Sequence, residues 1–332
     1  MMRLNPLPLL FLSFVVFCGP VHAWDSTGHR LSAAVMLAYI DAETRAALLD
    51  ILSAHPRYRA DFLDEIPGFI DRNNEAELAQ WLLGQAAYWP DIARGLPDAA
   101  RRRYNRPTWH YTDGAWVRGA AEIQGNVYVD LAKFADIQGQ AANNIRNENQ
   151  VINVSTALDY NSALLFDQSV EKSRRAVALC WVLHLGGDIH QPLHAGSLFS
   201  AVTFNEGDRG GNGIPIDDRN LHSRWDGALA DGGVLAELDR VLTLLDSQAA
   251  ELPASGNLNW DMWLNESRQL LQTVVYSPAM LAGIRAADAS NGSLQSLSLP
   301  PAYVTRMQQI SRQRLGTAGR RLANLMQTRL AQ

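Results

Sequence analysis

The sequence predicts an all-α (mainly α) protein: one multi-helix domain with a short β-hairpin near its functional site. Apolar residues recur at helical spacing through several long stretches. No strand–helix–strand alternation of the kind that builds a doubly wound sheet appears. No Pro/Ser-rich linker or internal repeat divides the 332 residues. A chain of roughly 300 residues, once a leader is removed, can bury one large core.

Between Ser26 and Leu52, Leu31, Ala34, Val35 and Ala38 share one side of a helical pattern. Residues 67–85 and 233–250 also read as helices. Ser173–Ile189 forms a strong helical run that Pro192 breaks. The stretch Gly207–Gly213 reads as a Gly-rich turn joining residues 202–204 to 214–216 as a hairpin. Tyr303–Leu330 is a long amphipathic helix with Arg and Gln on its polar face.

The N-terminus reads as a cleavable leader. Arg3 supplies a basic start, and Leu7–Phe17 is an apolar run too short to span a bilayer. Val21 and Ala23 are the small residues that signal peptidase requires, which places the cut after Ala23 and divides the chain into a signal peptide (1–23) and one domain (24–332). Localisation is then secreted or periplasmic, without stable membrane association. The cut removes Arg3, His22 and Cys18, so the domain is one unit more acidic than the −5 of the whole chain. Cys180 alone remains and has no internal disulfide partner. The acidic balance excludes broad electrostatic capture of nucleic acid. It leaves room for an enzyme whose phosphate affinity comes from metal.

Histidines and aspartates then fall at suggestive spacings. His184 and Asp188 are four apart, roughly 40° round a helix axis, so both point the same way. His190 lies roughly 240° round from His184 and faces elsewhere. Pro192 lets the chain fold back and bring His194 toward the pair. His222 and Asp226 repeat the four-residue spacing. Trp24, His29, Asp91 and His110 are isolated candidates upstream. A free α-amine at Trp24 would add a nitrogen donor beside His29. Imidazole and carboxylate are donors that zinc accepts, and a set without thiolates fits a catalytic site better than a closed structural one.

These residues sit in recognisable stretches: Trp24-x4-His29, Trp89-Pro90-Asp91-x2-Arg94, Trp109-His110-Tyr111-Thr112-Asp113, His184-x3-Asp188-x2-Gln191-Pro192-Leu193-His194, Gly210-Gly211-Asn212 and Asn220-Leu221-His222-x2-Trp225-Asp226. Together they resemble the zinc-dependent single-strand-specific nucleases, the mung-bean-nuclease family of S-one/P-one type. The likeness runs from Trp24 to about Asp226, and Ala318-Gly319-x-Arg321-Leu322-Ala323 looks like that family's C-terminal helix. The lack of disulfides departs from fungal and plant members and points to a bacterial exported one. Asn153, Asn265 and Asn291 begin Asn-x-Ser sequons, which matter only in a eukaryotic secretory pathway.

The resemblance implies a helical fold of the phospholipase C/single-strand nuclease type holding three zinc ions. Asp91, His110, His184 and Asp188 would hold the first, and His194, His222 and Asp226 the second. Trp24 and His29 would hold the third, with Asp188 shared as a bridge. A water between two zincs would ionise near neutral pH and attack phosphorus in line. Asp91 would also orient that water, and Arg94 would meet charge on the phosphoryl oxygens. Tyr111 and Asp113 would bind a base by stacking and hydrogen bonding, which favours single strands. The expected partners are single-stranded DNA and RNA and nucleotides bearing a 3′-phosphate, cut by a monomer to 5′-phosphate products.

The nearest rival is a zinc-dependent phospholipase C. Ala195 after His194 fits that pattern, whereas Asp226 in place of Glu and the Tyr111/Asp113 pair oppose it. A non-catalytic zinc-binding exported protein is the other alternative. His55, ahead of Pro56, reads as exposed, His190 as a surface or supporting residue, and Arg101-Arg102-Arg103 as a solvated loop.

Overall fold

A computed structural model of the chain describes residues 24–112, 125–131, 145, 147–247, 259–290 and 294–331. Helices dominate: α1 (Ser26–Tyr39), α2 (Ala42–Ser53), α3 (Glu75–Ile92), α4 (Asp98–Tyr104), α5 (Val154–Phe166), α6 (Lys172–Asp188), α7 (Leu221–Asp226), α8 (Val234–Ser247), α9 (Trp260–Leu270), α10 (Pro278–Ala289) and α11 (Pro301–Leu330). The strands are short: β1 (Val127–Tyr128) pairs in parallel with β2 (Leu198–Phe199), and β3 (Pro215–Ile216) pairs antiparallel with β4 (Arg219–Asn220).

The apolar pattern from Ser26 to Leu52 is two helices. Ile40 is extended, and the Asp41 side chain accepts from the Thr44 N–H at 2.7 Å, starting α2 afresh. The helix expected over 67–85 starts later and ends later, because the Asn74 side chain caps it through the N–H groups of Ala76 and Glu77. The expected hairpin is displaced. Its turn is Asp217-Asp218, with Asp217 at φ +49°, rather than the glycine run.

α6 is the spine. It packs between α3 and α5, and α1 bridges α3 and α11. Nearly every residue of α6 from Ala178 to Asp188 is buried, His184 and Asp188 included. One apolar cluster joins α2, α3 and α6 through Leu48, Leu52, Leu83, Leu179 and Leu183. Another joins α5, α6 and α9 through Leu158, Trp181, Leu185 and Trp263. α1 and α11 come unusually close at Gly319, where an added Cβ would lie 2.7 Å from the Ser32 carbonyl oxygen. Cys180 is buried and unpaired. Among the described residues no helix is long and apolar enough to cross a membrane.

Candidate metal centre and active site

α6 carries His184 and Asp188 on one face, with His184 Nε2 3.1 Å from Asp188 Oδ2. α7 does the same for His222 and Asp226 at 3.3 Å, its start fixed by the Asn220 side chain accepting from the Ser223 N–H. α1 delivers His29 and the last turn of α3 delivers Asp91. Short 3₁₀ turns at Pro107–His110 and Pro192–His194 deliver His110 and His194. All these side chains are buried.

The donor atoms converge in one continuous patch. His110 Nδ1 lies 3.1 Å from Asp188 Oδ2 and 2.8 Å from His184 Nε2. His29 Nε2 lies 3.5 Å from Asp188 Oδ1 and 4.0 Å from Asp91 Oδ2. His194 Nε2 lies 3.2 Å from His222 Nε2. Three groups could each hold a metal ion: His29/Asp91/His184, His110/His184/Asp188 and His194/His222/Asp226. The third matches the expected trio. The first two divide the remaining donors differently from the expected partition, because His29 stacks on His184 with ring centroids 3.8 Å apart.

The supporting contacts aim the rings. Nδ1 of His184 donates to the Ala87 carbonyl, that of His194 to the His110 carbonyl, and that of His222 to the Gly210 carbonyl, at 2.8, 2.6 and 2.6 Å. Each such bond turns Nε2 toward the other donor groups. Gly210 must be glycine, since its φ is +59° and a Cβ would collide with the Leu193 carbonyl oxygen. Gln191 donates to Asp226 Oδ1 at 2.7 Å and accepts from the Leu193 N–H, tying the two donor segments together.

Several buried polar atoms here lack any hydrogen-bond partner: both ring nitrogens of His29, Asp91 Oδ2, His110 Nε2, Asp188 Oδ1 and Asp226 Oδ2. Unpaired buried groups cost about 1–3 kcal/mol each. Cations among them would satisfy both the lone pairs and the carboxylate charge, so the residues fit a metal cluster. Burial holds the His29, His110 and His194 pKa values well below the imidazole range, with neighbouring cationic groups adding to the effect, so these rings are neutral donors. Burial pushes Asp188 up to about 6 and Asp226 well above the usual carboxylate range. Burial opposes charge on His184 too, but the adjacent Asp188 and Asp91 carboxylates outweigh it and raise its pKa.

Trp24 is buried, and its indole donates to the Gly187 carbonyl at 3.0 Å, one residue before Asp188. Asp25 N–H donates to the Asp226 carbonyl. Residues 24 and 25 are therefore clamped between two donor segments. Arg94 places Nη2 2.7 Å from Asp91 Oδ1, so it is an ion-pair partner of a candidate ligand. Tyr111 is half-buried beside His110. Asp113 lies outside the described residues.

Three expectations are corrected. His55 is buried rather than exposed, its ring edge-on to Trp89 with centroids 4.4 Å apart. His190 does face away from the donors, but it is fully buried, with Nδ1 donating to the Gly186 carbonyl and Arg321 Nη1 2.9 Å from Nε2. Arg101–Arg103 form the exposed last turn of α4 rather than a loop. Sequence reading also gave no role to Asp208. Its buried carboxylate accepts from the N–H groups of Leu198 and Gly211 and from the Tyr276 hydroxyl, and so shapes the glycine loop.

A helical scaffold that buries imidazoles and carboxylates in groups that could hold metal ions, with no thiolate among them, has the donor set of a catalytic rather than a structural metal site. Comparison with known proteins makes the class particular. The S1/P1 Nuclease family model matches residues 24–331, and the chain belongs to that family. It is 32% identical over 152 residues to Endonuclease 4 of Arabidopsis thaliana, an alignment covering 44% of this chain and 48% of that protein. It is 24% identical over 312 residues to Endonuclease 3 of the same plant, covering 91% and 87%. The chain thus spans about half of the first relative and most of the second.

Proposed function

We propose that the protein is an exported zinc nuclease that cuts single-stranded DNA and RNA to 5′-phosphate products and also removes 3′-phosphates from nucleotides. The observation that carries this is the convergence of eight His and Asp side chains into metal-sized groups. Zinc suits a nitrogen and oxygen donor set of this kind and would require three ions to use all of it. Trp24, once its amine is free, would join His29 and Asp188. Asp91, His110 and His184 would complete the neighbouring position, and His194, His222 and Asp226 the last.

Bound zinc supplies Lewis acidity and acidifies water to a pKa near ~7. The chain's own residues do the rest. Asp91 accepts a proton from the attacking water and orients it. Arg94, held against Asp91, faces the charge that builds on the phosphoryl oxygens. Breaking the bond to the 3′-oxygen leaves phosphate on the 5′ side. The Tyr111 ring, and Asp113 by its place after His110, would hold one unstacked base, worth about 1–3 kcal/mol for stacking alone. A base paired within a duplex cannot reach such a seat without unstacking. Export is supported by the leader-like residues 1–23 and by a family match that starts at Trp24.

The test is metal analysis of the secreted protein with a digest of single-stranded DNA, RNA and a 3′-nucleotide, before and after chelation, with phosphatidylcholine as a control substrate. About three zincs per chain and cleavage that chelation abolishes are expected. Undiminished cleavage after metal removal, or turnover of phosphatidylcholine alone, would overturn the reading.

A further inference from the structure

Behind the metal centre lies a cavity of about 300 Å³ that the reaction does not use. That volume falls at the lower end of the small-ligand range, ~300–1,000 Å³. Its back wall is the Trp109–Trp181 pair, whose rings meet edge to face with centroids 4.8 Å apart. Trp181 in turn packs against His110, 5.4 Å between centroids, so its indole stands between the cavity and a candidate donor. Tyr160 and Asn161 of α5 line it further, and both are largely buried.

Its polar side is cationic. Arg103, Arg106 and Arg174 line it against a single acid, Glu148, in a chain whose overall charge is −5. Glu148 pairs with Arg106. Arg106 is also held by the Arg102 and Asn105 carbonyls and lies over the Trp109 ring at 5.8 Å. Arg103 lies over the Tyr104 ring at 5.4 Å. Neither Arg103 nor Arg174 pairs with a carboxylate among the described residues. Of the basic run 101–103, Arg101 is neutralised by Asp98, while Arg103 contributes to this cavity.

We propose that this cavity is a second nucleotide site, separate from the metal centre: Arg103 and Arg174 take the phosphate, and the base enters toward Trp109, Tyr160 and Asn161. Guanidinium groups without carboxylate partners beside aromatic walls suit an anion joined to a flat ring better than either a free anion or an apolar ligand. The same chemistry is offered by a free mononucleotide product and by one residue of a bound strand. The choice of a nucleotide over another aromatic phosphate rests on the nuclease reading.

The test counts nucleotides on the zinc-loaded protein by calorimetry, using 5′-AMP, adenosine and inorganic phosphate as probes, and measures affinity for a long single strand. Native protein should bind two 5′-AMP per chain. Arg103→Ala/Arg174→Ala, both exposed positions, should bind one, with zinc content and unfolding midpoint unchanged. The second site should take adenosine or phosphate alone at least about tenfold more weakly than 5′-AMP, since each lacks half of the recognised group. If the site serves a strand, the double variant should also lose about tenfold or more in long-strand affinity; if it serves free product, strand affinity should hold while the second 5′-AMP is lost. One 5′-AMP in both proteins, with equal strand affinity and cleavage intact, overturns the cavity proposal and leaves the nuclease reading standing. No 5′-AMP bound and no strand cut would sink both.

Discussion

At the scale of single residues, the donors differ sharply from their neighbours. His184→Ala and Asp188→Ala should each nearly abolish hydrolysis and lower zinc content, because each removes a donor from a buried group that has no substitute. His190→Ala should keep its zinc, since that ring faces away, yet cost about 1–3 kcal/mol of stability by stranding the Gly186 carbonyl and an Arg321 N–H. Thermal unfolding with metal analysis separates these outcomes, and zinc loss in His190→Ala would contradict the orientation. Protonation gives a second expectation. In the metal-free fold Asp188 keeps its proton up to about pH 6, and His184 holds one above the usual imidazole range, so protons compete with metal on the acid side. His29, His110 and His194 are already neutral and do not compete. Zinc affinity should therefore weaken as pH falls through 6, and binding should release more protons at pH 5.5 than at pH 8. Calorimetry in buffers of different ionisation heat reads this directly; equal release at both pH values would contradict it.

At the scale of elements, what could be read from the sequence was what has a period. His184/Asp188 and His222/Asp226 were legible because four residues return a helix to nearly the same face. α5, α9 and α10 were not recognised as helices, and the break between α1 and α2 was hidden in a continuous apolar pattern whose only local sign is Asp41. The hairpin lies downstream of the glycine run because its turn uses Asp217 in a left-handed conformation, while the glycines wrap the Leu193 carbonyl and present Gly210 to His222. The burial of His55 is not legible locally, because nothing beside it in the sequence announces the Phe62, Trp89 and Tyr104 rings that enclose it. Close helix approach is likewise invisible until the helices are placed. Gly319→Ala puts a Cβ 2.5 Å from Val35 Cβ, so α1 and α11 must separate. Overpacking of that kind should cost about 1–3 kcal/mol. Because α1 carries His29, zinc occupancy beside Trp24 should fall in step with the unfolding midpoint. An unchanged midpoint would show that the two helices can separate freely.

At the scale of the whole molecule, Trp24 and Asp25 are bound to segments that carry the metal donors. The Trp24 indole reaches the Gly187 carbonyl, and the Asp25 N–H reaches the Asp226 carbonyl, so residue 24 sits among donors that come from positions far along the chain. While residues 1–23 are attached, the Trp24 nitrogen is an amide, whose lone pair is delocalised and a poor donor to zinc. After a cut at Ala23–Trp24 it would be an amine, and a deprotonated amine binds metal well. Export processing would then complete the metal centre and keep the nuclease idle beforehand. Protein beginning at Trp24 should hold one more zinc per chain than protein with a single methionine ahead of Trp24, and should cut single-stranded DNA much faster. With zinc removed from both, the two should unfold at similar temperatures, because the indole and Asp25 contacts do not depend on the amine. Zinc content and initial rate decide the matter: equal values for the two proteins would take the α-amine out of the site and leave His29 and Asp188 to hold that ion without it.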